Sequence, residues 1–493
     1  MISDKRQAME GSVTIYELRA AHFFSEANAA LSAFLWGAPM LAVFLLTGLY
    51  LTVRSRGFSI LHFPTWFRTT FGAALRDRSV RRSGDRHAIS QFQALTSALA
   101  ACLGTGNIVG VATAVRLGGP GAVFWMWISA VLGMMTCYTE NVLGIRYRWR
   151  TEDGSWMGGP MAYLSRGLKS PGLAGIYAAL LALAAFGIGN MTQTNSIAQA
   201  AQQSLGLSPW ITGGIVTVLA ALVILGGIQR IAKVTEALIP LMTGVFLLAC
   251  AVVLALRAKA LPGVLAGILR EAFTWQSAAA GAAGYGIRKA MRYGVARGVF
   301  SNEAGLGSSA VIHGAADVKD PAVQGMWGIA EVFLDTVVMC TVTALVLLST
   351  GVTTAAGISD NSNGVALSGA AFASVFGVWG ERFVLLSVAF FAFATLVGWS
   401  YYGEQGAKYL LGGKMGRKGV SVYRCLYLAV TLVGSVMKLE AVWNLADTLN
   451  GLMAIPNLIG VLWLAGEAIP KRTAAASRAE NRRRTSSAGK GPA

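Results

Sequence analysis

Charge is scarce in this chain: Asp, Glu, Lys and Arg make up 13% of its 493 residues, about half of what a soluble domain carries. A soluble enzyme of this length would need a far more polar surface, so that class is excluded. Histidine is scarcer still. The four residues, His22, His62, His87 and His313, are scattered over loops and segment ends without metal-ligand spacing. The five cysteines, Cys102, Cys137, Cys250, Cys340 and Cys425, fall in or at apolar runs and form no CxxC pair, so free thiols are expected. No GxxxxGK[ST] phosphate loop occurs, which removes the usual ATP site as an energy source.

Apolar residues take the place of charge. They are 54% of the chain and mean hydropathy is +0.55. A helix needs about 20 apolar residues to cross about 30 Å of hydrocarbon. Eleven runs qualify, near 33–53, 91–115, 120–145, 176–203, 210–229, 234–256, 270–296, 323–350, 382–404, 422–437 and 441–466. The run from Phe34 to Val53 lies too far in for a signal peptide and lacks a small-residue cleavage pattern, so it is expected to remain. The fold class is an all-α polytopic membrane protein with about eleven transmembrane helices.

The net charge of +18 then acquires a topological reading. Placing the connections after spans one, three, five, seven, nine and eleven on one side collects 32 of the 41 Lys and Arg there and leaves nine on the other. Basic loops stay in the cytoplasm, so the N-terminus is expected outside and the C-terminus inside an inner (plasma) membrane. The basic surface suits an anionic lipid bilayer, whereas nucleic acid recognition needs a module that is absent. The tail after Pro470, with Arg482, Arg483 and Arg484, has the composition of a disordered segment.

Glycine, at 59 residues, is the other surplus. The second span places Gly104-Thr-Gly-Asn107 near the bilayer midplane, and the seventh places Gly281-Ala-Ala-Gly284-Tyr-Gly286 at its middle. Each glycine inside a helix costs about 1 kcal/mol relative to alanine, and clusters invite unwinding. Unwound backbone at that depth must line a cavity or bind something. Paired interruptions at the start of two sets of five spans point to an inverted-repeat carrier, with close helix packing through small residues as the alternative. Half-helix ends at the midplane suit a zwitterion: amides for a carboxylate, freed carbonyls for an ammonium or Na⁺.

These residues resemble the alanine or glycine:cation symporter family of the amino acid-polyamine-organocation superfamily. The resemblance is carried by Gly104-Thr-Gly-Asn-Ile108, Gly118-Gly-Pro-Gly-Ala-Val-Phe-Trp-Met-Trp127, Gly158-Gly-Pro-Met161, Arg297-Gly-Val-Phe-Ser-Asn-Glu-Ala-Gly305 and Gly398-Trp-Ser-Tyr-Tyr-Gly-Glu404. It implies a LeuT-like fold of five plus five helices with one additional helix, and Na⁺-driven uptake of small neutral amino acids such as alanine or glycine by alternating access. The divisions expected are an outside segment 1–32, the additional helix 33–53, a basic connection 54–90, repeats at 91–257 and 270–466, and a tail 467–493. By the same resemblance the amides of Thr105 and Gly106 hold the substrate carboxylate. Asn107 and the Cys102 carbonyl serve one Na⁺, while Ala100, Leu103, Ala392 and Thr395 serve a second. Ala394 stands where many relatives carry Ser, and Gly281-Ala282-Ala283-Gly284 lacks a phenylalanine common in the family, which would enlarge the pocket.

Other candidates come from the residues themselves. Gln193 and Asn195 are two apart on different faces of the fourth span, so one faces substrate or both bond neighbouring helices. Trp399, one turn after Thr395, walls the pocket or packs. Asp335, central in the eighth span, is costly enough there to require a coupling or gating role or a structural partner. Arg288 and Lys289 would line a cytoplasmic exit, and Glu140, Glu236, Glu303 and Glu404 would form ion pairs at inner ends. No cofactor beyond Na⁺ as coupling ion is expected, and the chain is expected to work as a monomer. A proton-coupled carrier using Asp335 is the same-fold rival; a channel or membrane enzyme is the rival of another class.

Overall fold

A computed structural model describes residues 26–28, 30–273, 285–353, 364–437 and 439–469. Apolar runs become helices because a bilayer core offers no water to unpaired backbone groups. In chain order they are α1 (Ala38–Arg54), α2 (Gln91–Cys102), α3 (Val109–Gly118), α4 (Gly121–Arg146), α5 (Pro171–Leu205), α6 (Pro209–Ile224), α7 (Gly227–Leu256) and α8 (Leu261–Phe273). There follow α9 (Tyr285–Asn302), α10 (Ser309–His313), α11 (Pro321–Ser349), α12 (Gly364–Phe376), α13 (Val378–Leu411), α14 (Gly413–Gly434) and α15 (Leu439–Ala468). Among the described residues, strand pairing consists of a hairpin, β1 (Trp149–Arg150) against β2 (Trp156–Met157), and a single parallel bridge between Ile89 and Ala316.

Seven helical stretches, the first running from Glu26 to the end of α1, are long and apolar enough to cross a bilayer, and the bent pair α2–α3 makes an eighth. Eleven is not reached on length and composition alone, for three visible reasons. The run 210–229 folds as α6, with only 16 residues, about 24 Å at 1.5 Å per residue. The run 422–437 belongs to α14, whose first turns carry Lys414, Arg417 and Lys418. The run 270–296 includes residues outside the described set. An apolar helix absent from the eleven, α12, lies between α11 and α13.

All six connections that the charge pattern assigned to one side meet at one end of the bundle. Asp85, after α1, pairs with Arg150, after α4. Gln229, after α6, donates to the Ala88 carbonyl at 2.8 Å. Arg148 donates to Gly314, after α10. Lys408, at the end of α13, is 2.7 Å from Asp153, and Arg146 is 3.2 Å from Glu467 at the end of α15. Parity of the helices between them is thus preserved.

One group of charges moves to the other end. A methyl on Gly118 would meet the Lys289 carbonyl at 3.3 Å and Tyr293 at 3.1 Å, and one on Gly121 would meet Ala272. Helix α9 therefore begins beside the start of α4 and runs parallel to it. Arg288, Lys289, Arg292 and Arg297 lie on that opposite half, which reduces the bias from 32 against 9 to 28 against 13. Arg288 is exposed there, at the end opposite the six connections, so it does not line the exit expected of it.

Candidate functional site

The second span breaks where its glycines stand. Ser90 and Gln93 start α2 with a reciprocal cap, Gln93 N–H to Ser90 Oγ at 3.1 Å and Ser90 N–H to Gln93 Oε1 at 3.0 Å. The helix ends at Cys102, the Gly104 N–H turns back to the Cys102 carbonyl at 2.8 Å, and α3 leaves at a 62° bend. Half-helix ends with opposite dipole signs thus meet inside the bundle.

Around this break the structure collects most of the residues named from sequence. Thr395 donates its hydroxyl to the Ala100 carbonyl at 2.9 Å; Ala392 lies one turn earlier on α13, and Leu103 is buried. A methyl on Gly104 would fall 2.6 Å from Thr395 Oγ1 and 3.4 Å from Gln193 Oε1, so α13 and α5 both touch the turn. Gln193 donates to the Ile188 carbonyl at 3.0 Å, freed by the π-helical turn Gly187–Met191, and its Oε1 is unpartnered. Asn107 donates to Asp335 Oδ1 at 2.7 Å, while its own Oδ1 and the Thr105 hydroxyl have no partner. Asp335 lies in a second π-helical stretch, Phe333–Cys340, and also accepts from Ser301 at 3.1 Å and Thr336 at 2.7 Å. Such wide turns recur at functional sites because they release carbonyls and shift side-chain register.

Asn195 is committed elsewhere. Its amide donates to the Gly434 and Met437 carbonyls at 3.0 and 2.6 Å and its oxygen accepts from Gln199, so it ties α5 to the end of α14. Asn195→Ala is expected to lower the melting temperature, with about 1–3 kcal/mol lost from unpaired carbonyls, and to leave the KM of uptake unchanged. A KM rise without destabilisation would place Asn195 at the substrate instead.

The partner break lies at residues 303–308. Gly281 and Gly284 are outside the described residues, but the midplane opposite Gly133 of α4 is occupied by Asn302 and Ala304. Glu303 has φ 56°, Gly305 φ 95° and Gly307 φ 75°, left-handed conformations that stop α9 outright. Glu140 accepts the Gly305 N–H at 3.0 Å and Asn457 donates to the Gly305 carbonyl at 2.9 Å and to Glu140 at 2.5 Å. Tyr177 caps the Leu306 carbonyl at 2.9 Å. Glu303 accepts from Ser308 and, at 3.0 Å, from Trp399 Nε1. Trp399 is therefore held by the second break, and its ring lies against Gly189 of the π turn.

Ser301, Asn302, Glu303, Glu140 and Asn457 were missed as site-forming residues. For Ser301, Asn302 and Glu303 the signal was the polar Ser-Asn-Glu-Ala-Gly-Leu-Gly-Ser run, which reads as a span end when only hydropathy is followed, whereas Glu140 and Asn457 stand apart from that run within the apolar helices α4 and α15. Of the four glutamates expected in ion pairs, Glu404 makes a bidentate pair with Arg424 at 2.8 and 2.9 Å and Glu236 accepts from Gln93. Glu140 and Glu303 bind break backbone and side chains instead.

The two breaks face each other, with Gly106 and Ser301 adjacent. A cavity of about 300 Å³ lined by Gly110, Thr113, Ser196, Gln199, Arg297 and Leu367 descends from the α3 side to Val109, next to the first break. On the other side, among the described residues, Glu140, Asn457 and Tyr177 close in on the backbone at Gly305 and Leu306.

The sodium:alanine symporter family matches residues 21–486. A sodium/alanine symporter of Methanococcus maripaludis is 44% identical over 450 residues, covering 90% of this chain and 95% of that protein. A probable sodium/glutamine symporter of Bacillus subtilis is 35% identical, covering 87% and 86%. Among solved structures, a Na⁺-coupled sialic acid symporter in its substrate-bound outward-open state aligns with TM-score 0.52 and 12% identity over 88% and 86% of the chains. A manganese transporter of Eremococcus coleocola aligns with TM-score 0.51 and 16% identity over 77% and 78%. At these identities the structural matches speak to the fold, which is that of LeuT-like transporters.

Proposed function

The chain belongs to the sodium:alanine symporter family, and from that premise we propose that it takes up a small neutral amino acid together with Na⁺ by alternating access. It is an integral membrane transporter rather than an enzyme. The observation that carries the Na⁺ reading is the oxygen-rich contact of α2, α11 and α13 at the first break: Thr395 on the Ala100 carbonyl, and Asn107 on Asp335. A hard monovalent cation is recognised by such oxygens, and a buried carboxylate without a described basic partner favours one.

In this reading the Thr105 and Gly106 amides hold the substrate carboxylate, helped by the positive end of α3. Carbonyls of the 303–308 break face the ammonium, in place of the substrate-binding role expected of Gly281 and Gly284. Gln193 and Trp399 wall the side-chain pocket. Ala100, Leu103, Ala392 and Thr395 serve one Na⁺; Cys102, Asn107 and the Asp335 carboxylate serve another. Repeats at 91–257 and 270–466 each supply one break, so a single chain suffices. The end carrying the six basic connections faces the cytoplasm, which makes the 300 Å³ cavity the outside entry.

One Na⁺ moving down 100 mV of inside-negative potential releases about 2.3 kcal/mol, enough for roughly fiftyfold accumulation. Purified protein in liposomes is expected to accumulate labelled alanine or glycine with an inward Na⁺ gradient and not with choline. Uptake driven by a pH gradient in choline would instead assign the coupling to protons at Asp335; no uptake under either gradient would end the symport reading.

A further inference from the structure

The end of the bundle away from that cavity carries a clasp that the ion and substrate sites do not use. Residues 314–318, which leave α10, run beside residues 83–90, which enter α2. The Ile89 N–H donates to the Ala315 carbonyl at 3.1 Å, and the Asp317 N–H to the Ile89 carbonyl at 2.7 Å. Asp317 Oδ2 also accepts from Ser83 Oγ at 3.0 Å and the Gly84 N–H at 2.8 Å.

Alternate carbonyls on the other edge of the same strand go to a single side chain. Arg148 Nη1 reaches Gly314 at 2.9 Å and Ala316 at 2.6 Å, and Nη2 reaches Val318 at 2.9 Å. Its guanidinium stacks 4.1 Å over Trp156, which Arg150 covers as well at 4.4 Å while pairing with Asp85. Burial pulls the Arg148 guanidinium down to about 10, so it stays charged at neutral pH. Three carbonyls on one rigid fork fix the strand's shape, which a flexible ammonium cannot reproduce.

Directly below the two breaks, α2 and α10 pack on each other, so a route from the breaks to this end runs where the clasp holds them together. We propose that Arg148 is a positioning residue of the inner gate: by shaping residues 314–318 it presents the edge that binds Ile89 and keeps the inner path shut until the carrier turns inward. The proposal rests on the transport reading, in which this path is the exit.

Cys102, buried in the last turn of α2, reports the opening without requiring transport. Its alkylation by N-ethylmaleimide would be followed by mass spectrometry on the full chain in liposomes without Na⁺. Arg148→Ala is expected to label about tenfold faster than the parent, the change that loss of charged hydrogen bonds brings to a two-state equilibrium. Asp317→Ala, which frees Ser83 and Gly84 but keeps the fork, should label several-fold faster, and Arg148→Lys should fall between Arg148→Ala and the parent. Should Arg148→Ala fail to fold, the other two carry the test. Parental labelling rates in the folded variants would overturn the clasp. If Na⁺ and alanine leave parental labelling unchanged while Asp317→Ala still accelerates it, the clasp stands and the symport reading falls.

Discussion

Asp335→Asn lowers the rate of Na⁺-driven uptake at fixed Na⁺ by about a hundredfold if the carboxylate is an ion ligand. The side chain accepts from Asn107, Ser301 and Thr336, so it joins the turn after α2, the end of α9 and the π stretch of α11. All three partners donate, and among the described residues no Lys or Arg pairs with it. An uncompensated carboxylate at this depth is expensive and acquires a cation, either Na⁺ or a proton. Asparagine keeps the shape but removes the charge: its oxygen can still accept from Asn107 and Ser301, while its amide nitrogen replaces the oxygen that accepts from Thr336. A charged interaction of about 3 kcal/mol corresponds to about a hundredfold in binding. The measurement is uptake against Na⁺ concentration, with melting in Na⁺-free buffer as the control for folding. An unchanged Na⁺ half-saturation in a folded variant would assign Asp335 to structure alone.

The second large effect comes from two glycines only two residues apart. Gly104→Ala places a methyl 2.6 Å from Thr395 Oγ1 and 3.3 Å from its Cβ, so the Thr395 bond to the Ala100 carbonyl cannot persist. Overpacking of this kind costs about 1–3 kcal/mol, and here it falls on the oxygens proposed for Na⁺. The Na⁺ concentration for half-maximal uptake should rise about tenfold to a hundredfold. Gly106→Ala meets nothing nearer than Ser301 Oγ at 3.8 Å, an ordinary contact, and leaves the backbone amide in place. Its Na⁺ dependence should stay within about twofold of the parent. Equal loss in both variants would mean that the turn needs glycine for its backbone, not for the approach of Thr395.

The first break was legible because its signal is local. Gly104 and Gly106 interrupt an apolar run, and the helix breaks there. Gln193 and Asn195 show the limit of such reading: both are buried amides in one helix, and only the positions of Ile188, Gly434 and Met437 separate a side chain at the break from a tie to α14. Trp399 likewise reads as pocket wall or packing until Glu303 is seen to hold its indole.

Sequence alone determined the membrane class, the first span's break and which connections share an end, since hydropathy, glycine clustering and charge bias act over neighbouring residues and do not depend on distant contacts. Tertiary structure decided the second break and the entry of α9. Residues 303–308 can unwind inside the bundle only because Glu140, Tyr177 and Asn457, far apart in the chain, accept and donate the hydrogen bonds that the helix gives up. That compensation leaves no periodic trace near Gly305, so a hydropathy window reads the polar run as a span end. The scarcity of charge is therefore selective: acids retained inside the bundle bind the residues around the helix breaks, Glu140 through the Gly305 N–H and Glu303 and Asp335 through neighbouring side chains.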